Sequence, residues 1–365
     1  MARLALYREF RPKKFDDVIG QDHIVKTLIN QIERGAVGHA YLFAGTRGTG
    51  KTSCAKIFSR AINCAKPEKG SPCGKCQVCK NLESDTAVDI LEIDAASNNG
   101  VDAIRELREK VKYPPIHGKY RVYIIDEVHM LSDSAFNALL KTLEEPPSHA
   151  IFILATTEVH KLPATILSRC MRFDFRLVSN QKLEALLKKV FEKSKIECDQ
   201  NSIQAIATAG EGSVRDTLSI ADCVSAFADG RIDYETTLNV LGLSDKKIVS
   251  NLAGYIIEGN IGAVLDEINA AYLAGKNLIV LTKDLTVHFR NLLTIKTCKD
   301  AKGILREPVE IYEKLSEQAN KVESNKLLEY MTKLSQIEND LKYALNPRVL
   351  VEIACLECAS LLKKN

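Results

Sequence analysis

No apolar run in the 365-residue chain approaches the roughly 20 residues a membrane helix needs. The opening stretch, Met1-Ala2-Arg3-Leu4-Ala5-Leu6-Tyr7-Arg8, reaches charge before a signal-peptide core could form. There is no low-complexity segment and no clear internal repeat. Charge of one sign is not in excess: 50 Lys and Arg face 47 Asp and Glu, a net +3. That balance excludes a histone-like polycation, although nearly cancelling totals can hide a local basic face. The 11 cysteines are odd in number and lack a secretion signal, so free thiols and a metal site are expected rather than a disulfide framework. Hydrophobic residues make up 45% of the chain, enough for each of two or three domains to build a core. A soluble, cytoplasmic protein without a membrane partner is expected.

The first half alternates strand-like and helix-like segments. Ala40 to Ala44, Asp89 to Ile93, Arg121 to Asp126, Ile151 to Ala155 and Met171 to Phe175 read as strands. Thr52 to Asn63, Val101 to Val111 and Ser134 to Glu144 read as helices between them, the last stopped by Pro146-Pro147. Strands separated by helices imply a parallel sheet covered on both faces. After Ser179, an expected N-cap, strand signals fade. Gln181 to Lys195, Ser202 to Ala209 and Ser213 to Ala228 read as helices punctuated by Gly210, Gly212 and Gly230. Gly242-Leu243-Ser244 reads as a junction. Beyond it amphipathic helices continue, with breaks near Gly259-Asn260, Gly275, Arg306-Glu307-Pro308 and Asn346-Pro347. The expected architecture is an α/β domain with a parallel sheet over 1–178, a small helical domain over 179–242 and a helical bundle over 243–365.

Gly45-Thr46-Arg47-Gly48-Thr49-Gly50-Lys51-Thr52 fits the phosphate-loop pattern G-x-x-x-x-G-K-[ST] in full. Its glycines let backbone N–H groups curl around phosphate oxygens, Lys51 would reach the β- and γ-phosphates, and the Thr52 hydroxyl would bind Mg²⁺. The following helix points its positive end at the anion. The strand Val122-Tyr123-Ile124-Ile125 ends in Asp126-Glu127. Asp126 is placed to hold Mg²⁺ through water, and Glu127 to polarise an attacking water. The pair favours a hydrolase over a passive nucleotide sensor.

Cys64, Cys73, Cys76 and Cys79 place four thiols within sixteen residues, with Pro67, Gly70, Pro72 and Gly74 supplying turns. Four thiolates suit tetrahedral Zn²⁺, and a closed four-Cys site implies a structural metal. Iron–sulfur ligation is the rival, but it usually needs more apolar shielding than this Lys-rich stretch offers. Cys355 and Cys358 share the two-residue spacing but sit in a helix without partners and read as ordinary thiols.

In chain order the phosphate loop, Asp126-Glu127, Ala155-Thr156-Thr157, Ser168-Arg169-Cys170 and Gly212-Ser213-Val214-Arg215-Asp216 resemble the AAA+ clamp-loader family. The four-Cys insertion, Tyr7-Arg8-Glu9-Phe10-Arg11-Pro12 and Asn137-Ala138-Leu139-Leu140-Lys141-Thr142-Leu143-Glu144-Glu145-Pro146-Pro147 narrow the resemblance to clamp-loader subunits of bacterial DNA polymerase III. It is dense over about the first 220 residues, and beyond them only length and helicity agree.

The resemblance implies an ATP-driven subunit that helps open a sliding clamp and load it on primer–template DNA, with the helical domains acting as lid and collar. Thr157 resembles the sensor of the γ-phosphate, Thr156 being the second choice, and Arg215 resembles a second sensor from the lid. Arg169 resembles an arginine finger acting on ATP in a neighbouring subunit. Tyr7 to Pro12, including Arg11, with Val18, Ile19 and Gly20, resemble the segment around adenine. Each also has a plain reading: a surface arginine, a strand end, an ion-paired helix start, core anchors. Implied partners are delta- and delta-prime-type subunits, further copies of the chain, the clamp and DNA. The helix opened by Asn98-Asn99-Gly100 and carrying Arg105 and Arg108 is the candidate DNA contact; a solvated face is the alternative. Nothing resembles a polymerase active site. The sequence stops at Asn365, so contact with a polymerase core is expected only of a longer form. A branch-migration translocase and a nucleotide-bound scaffold are the rival functions.

Overall fold

A computed structural model describes residues 5–83, 87–228, 230–241, 246–305, 309–341 and 343–361. Its contacts divide the chain into two compact units, Met1–Asp233 and Tyr234–Asn365.

In the first unit five short apolar segments become strands β1 (Ala40–Ala44), β2 (Ile90–Asp94), β3 (Arg121–Asp126), β4 (Ala150–Thr156) and β5 (Met171–Asp174). They form one sheet in the order β2-β3-β4-β1-β5. Every pairing is parallel, with Phe43 beside Ala155 and Ile125 beside Leu154. Every residue of β1 and β4 is buried, as expected for the middle of a sheet covered on both faces.

Because strand side chains alternate in direction, consecutive residues feed two different cores. Tyr41, Phe43, Val122, Ile124, Ile151 and Ile153 pack on one face with Ile24, Leu28, Cys54, Ile57 and Phe58. The last five belong to helices α2 (Asp22–Arg34) and α3 (Lys51–Asn63), taken after the short α1 (Leu6–Glu9). Leu42, Tyr123, Ile125, Phe152 and Leu154 pack on the other face with Ile104, Leu107, Phe136 and Leu139. Those four come from α5 (Val101–Val111) and α6 (Asp133–Glu144), which follow α4 (Gln77–Glu83). Three of these helices are additional to the sequence expectation: the short α1, α2, closed by Gly35 in the left-handed region, and α4.

Asp89, expected at the start of β2, lies just outside it. Its buried carboxylate accepts N–H bonds from Ile116, His117 and Gly118 at 2.7, 2.6 and 2.9 Å. The loop into β3 is thereby fixed by charge-assisted hydrogen bonds.

After the one-turn α7 (Ala164–Leu167) come α8 (Asn180–Ser194), α9 (Gln200–Ala209) and α10 (Val214–Phe227). Asp199 and Ser213 cap α9 and α10 by accepting N–H bonds from Ser202 and Asp216. Ser179 occupies the N-cap of α8, but its side chain makes no capping bond. The strand signal does not vanish here. β6 (Glu197–Cys198) pairs in parallel with β7 (Arg231–Ile232). Two-residue strands are too short to show a period.

The second unit holds α11 (Tyr234–Leu241), α12 (Lys246–Glu258), α13 (Ile261–Leu273), α14 (Leu278–Thr297), α15 (Ala301–Leu305), α16 (Val309–Asn320), α17 (Ser324–Asp340) and α18 (Pro347–Ser360). Leu281, Leu285, Phe289 and Leu292 of α14 meet Leu327, Tyr330 and Leu334 of α17 in its core. Cys355 and Cys358 are fully buried members of the same core, and burial pushes the Cys358 thiol up to about 12. Helices break at Gly259 and Gly275 as expected, and α18 begins after Asn346, its N-cap; Gly242-Leu243-Ser244 and Arg306-Glu307-Pro308 lie outside the described residues.

Phe58 is fully buried, its ring edge-on to Tyr41 at 4.9 Å. Truncation there removes large apolar contact from a site between sheet and helix. Phe58→Ala is expected to cost about 3–5 kcal/mol in the first unit, read as a lowered urea midpoint for that unit's transition.

Candidate functional site

β1 runs into a loop that only glycine can shape. Gly45, Gly48 and Gly50 have φ of 146°, 77° and 101°. A Cβ on Gly45 would fall against the carbonyl oxygen of Phe175, closer than van der Waals contact allows. Gly50 is the N-cap of α3 and offers no side chain to cap it, so the first N–H groups of α3 remain donors for an anion.

Lys51, the first residue of α3, is only 6% exposed. Its Nζ donates to the carbonyls of Gly45 and Thr46 at 2.7 and 2.9 Å. Burial lowers its pKa, and the charges of Glu127 and Asp126 oppose that shift. Thr49 closes the loop by donating to the Thr46 carbonyl at 2.8 Å. Thr46 and Arg47 are exposed at its tip.

The strand next but one, β3, brings the carboxylates. Asp126 Oδ2 accepts from the Thr52 hydroxyl at 2.7 Å, and Oδ1 from the Glu127 N–H at 3.0 Å. Glu127 sits at φ 48°, a left-handed backbone that costs a non-glycine residue about 1–3 kcal/mol. Its Oε2 accepts from the Thr157 hydroxyl at 3.1 Å. The two threonines at the end of β4 therefore separate. Thr157 meets Glu127, whereas Thr156 is fully buried and accepts from the Glu158 N–H at 3.0 Å. Thr156 also meets His129 Nδ1 at 3.0 Å. His129 lies in the turn after Glu127 and was not singled out from the sequence.

The lid meets the loop directly. Gly48 O accepts from the N–H groups of Val214 at 3.1 Å and Arg215 at 3.4 Å. The Arg215 guanidinium lies 5.4 Å from the centre of the Tyr7 ring. Arg11 Nε donates to the Ser53 hydroxyl at 3.1 Å, which brings the N-terminal segment to the first turn of α3. Pro12 and Ile19 are half-buried; Val18 is buried with Phe15 in the core beneath α2. Gln21, also missed in the sequence, is fully buried and makes the tie between segments. Its Nε2 donates to Arg176 O at 2.7 Å and Thr49 O at 3.4 Å, and its Oε1 accepts from the Arg176 N–H at 3.1 Å.

Two expected site residues are held away from the loop. Arg169 donates to Glu144 Oε1 at 2.8 Å and to Thr165 O at 2.9 Å. Arg105 is exposed and paired with Asp102 at 3.1 Å on the surface of α5, an interaction worth at most about 1 kcal/mol.

Cys64, Cys73, Cys76 and Cys79 converge, with all four Sγ atoms within 4.8 Å of one another. Cys64 and Cys76 stand 4.0 Å apart, Cys73 and Cys79 3.9 Å. Tetrahedral ligation at about 2.3 Å from each sulfur needs separations of about 3.8 Å. Backbone N–H groups of Cys73, Cys76 and Cys79 donate to Sγ of Cys64, Cys73 and Cys76, each at 3.4 Å. Such donors favour thiolates. The Cys79 N–H draws the Cys76 thiol down to about 6, while burial raises Cys64 and Cys79. The four sulfurs fit a metal ion.

A glycine loop leaving β1, carboxylates on the strand next but one, the order β2-β3-β4-β1-β5 and a helical lid bonded to the loop define a P-loop AAA+ module. Family models agree. One described as DNA polymerase III, delta subunit, matches residues 20–179. The clamp loader subunit ATPase lid domain matches residues 182–230, and domain III of subunits gamma and tau matches 232–364. The chain is 42% identical over 242 residues to DNA polymerase III subunit gamma of Buchnera aphidicola, covering 66% of this chain and 67% of that one. It is 43% identical over 357 residues to subunit tau of Bacillus subtilis, covering 98% of this chain and 63% of the relative. With gamma/tau of Mycobacterium tuberculosis H37Rv the identity is 37% over 357 residues, covering 96% and 62%. The chain belongs to the gamma/tau family of DNA polymerase III subunits. It spans less than two thirds of the length of the Bacillus and Mycobacterium relatives. No described helix is long and apolar enough to cross a membrane.

The positive φ of Gly45 and its contact with Phe175 leave no room for a side chain. Gly45→Ala is expected to lower the unfolding midpoint of the first unit by more than a surface Gly→Ala change at Gly74, where a Cβ meets nothing within 4 Å. Paired urea titrations check this.

Proposed function

We propose that the chain is an ATP-hydrolysing subunit of a clamp loader, opening a sliding clamp and loading it onto primer–template DNA during replication. One observation carries the reading: Thr52–Asp126 and Thr157–Glu127 hydrogen bonds stand side by side at the mouth of the Lys51 loop. Binding and water activation thus share one place.

The N–H groups of Gly45 to Thr52 would cradle the triphosphate, and the Lys51 ammonium would exchange the Gly45 and Thr46 carbonyls for β- and γ-phosphate oxygens. Mg²⁺ would be held by Thr52 and Asp126, an all-oxygen donor set suited to a hard cation, and would neutralise phosphate charge. Glu127 polarises the attacking water, with Thr157 orienting its carboxylate. Tyr7, Arg11, Pro12, Val18 and Ile19 form the adenine side. Arg215 reaches the nucleotide from the lid, whose N–H groups already bond Gly48. The four cysteines would hold Zn²⁺ as a structural ion that folds the insertion.

Arg169 acts in trans on ATP of a neighbouring copy or companion subunit. Its side chain is bonded to Glu144 and Thr165, and on this reading hydrolysis needs an assembly. Delta- and delta-prime-type subunits and the clamp are the expected partners, in the cytoplasm. Arg105 on α5 gives a sequence-independent contact to the DNA backbone. The domains are read as an ATPase over 1–178, a lid over 179–242 and a collar over 243–365.

Lys51→Ala is expected to abolish ATP binding in a fluorescent-nucleotide titration. Arg169→Ala should leave that binding intact yet remove DNA- and clamp-stimulated hydrolysis, a loss of about 10³-fold or more. Full hydrolysis by the isolated Arg169→Ala chain would refute the shared site. Metal analysis after gentle purification should return about one equivalent of zinc per chain, and less than about half of that would count against the four-Cys site.

A further inference from the structure

His129 is buried beside the carboxylate proposed to activate water, and the mechanism above gives it no task. It stands in the single 3-10 turn Val128–Met130 that follows Glu127. Its side chain is 6% exposed. Nδ1 lies 3.0 Å from Thr156 Oγ1 and 3.4 Å from Glu127 Oε2, and Nε2 lies 3.4 Å from Glu158 Oε1. One imidazole therefore joins the end of β3 to the end of β4. The charged groups facing it are Glu127 and Glu158. The outer one is compensated elsewhere: Glu158 Oε2 is 2.8 Å from Lys161 Nζ and 3.5 Å from His160 Nε2.

We propose that His129 is a positioning residue for hydrolysis, its Nδ1 edge fixing Glu127 against the end of β4. This rests on the reading of Glu127 as the group that polarises water. Thr157 and His129 both approach Oε2 of Glu127. Among the described residues Oε1 receives no hydrogen bond, so it is the oxygen presented to water. The left-handed backbone of Glu127 needs support from outside its own residue to persist. His129 supplies it two residues on, anchored by the buried Thr156. Nδ1 does this work; the Nε2 contact to Glu158 reaches an already paired surface carboxylate.

The two ring edges can be separated. An asparagine side chain places its amide where Nδ1 stands, able to donate or accept, and gives up the Nε2 position. A glutamine reaches the Nε2 position and gives up Nδ1. His129→Asn, His129→Gln and Glu127→Gln are made in the full chain and assayed with companion subunits, clamp and primed DNA. ATP affinity is titrated separately with a fluorescent analogue. His129→Asn should keep kcat within about threefold of the parent, and His129→Gln should lose about 10- to 100-fold, as for other outer-shell supports of a reacting group. Both should keep ATP affinity within about twofold. Equal kcat for the two variants, a better kcat for Gln, or loss of ATP binding by Asn would make His129 a packing residue and overturn the proposal. Glu127→Gln separates the two levels. If it hydrolyses ATP at the parental rate, the reading of Glu127 fails as well. If it is inactive while Asn and Gln at 129 behave alike, only the role of His129 falls.

Discussion

The site depends on keeping one ammonium group charged where water is largely excluded. Lys51 is almost wholly buried, and burial pulls against its charged form. Four groups oppose that pull: the carbonyls of Gly45 and Thr46, and the negative charges of Glu127 and Asp126. The carbonyls are available only because the loop turns through left-handed glycine conformations, with Gly45 pressed against Phe175. The carboxylates are available only because β3 ends one strand away from the neighbour of β1. A positive centre stabilised this way exchanges readily for phosphate oxygens, since these replace carbonyl dipoles with full charges.

The sheet accounts for the rest of the arrangement. In parallel α/β sheets ligands gather beyond the carboxyl ends of the strands, and here β1, β3 and β4 deliver Gly45, Asp126-Glu127 and Thr156-Thr157 to one rim. Burial of both sheet faces by α2, α3, α5 and α6 holds those ends in place. Gln21 and the Gly48 carbonyl then tie the loop to the segment before α2 and to the lid. The start of α10 is thus joined to the loop by backbone hydrogen bonds. The cysteine cluster is built on a different principle: its segment buries only Gly70 to Cys73, Cys79 and Leu82, and sulfur ligation would take the place of a core.

The strands and the loop were legible in the sequence because their signals are local. Apolar runs of five to seven residues, glycines at fixed offsets and two carboxylates after a buried strand need no knowledge of the rest of the chain. The convergence of Cys64 with Cys76, twelve positions away, was legible from spacing alone. What escaped was long-range or very short. Gln21 acts on Arg176, 155 residues along the chain. His129 gains meaning only when β4 is laid beside β3. The pair β6–β7 has two residues a strand. α2 is the exception, since its apolar stripe of Ile24, Val25, Leu28, Ile29 and Ile32 is local. Asp89 looked like a strand residue, yet its carboxylate serves three N–H groups some 27 residues later.

The most direct test is a crystal structure of the chain with Mg²⁺ and a non-hydrolysable ATP analogue. The account requires Lys51 Nζ to leave the Gly45 and Thr46 carbonyls for phosphate oxygens, and the Thr52–Asp126 hydrogen bond to open around the ion. An analogue bound elsewhere, or bound at the loop with Lys51 still on its two carbonyls, would contradict it.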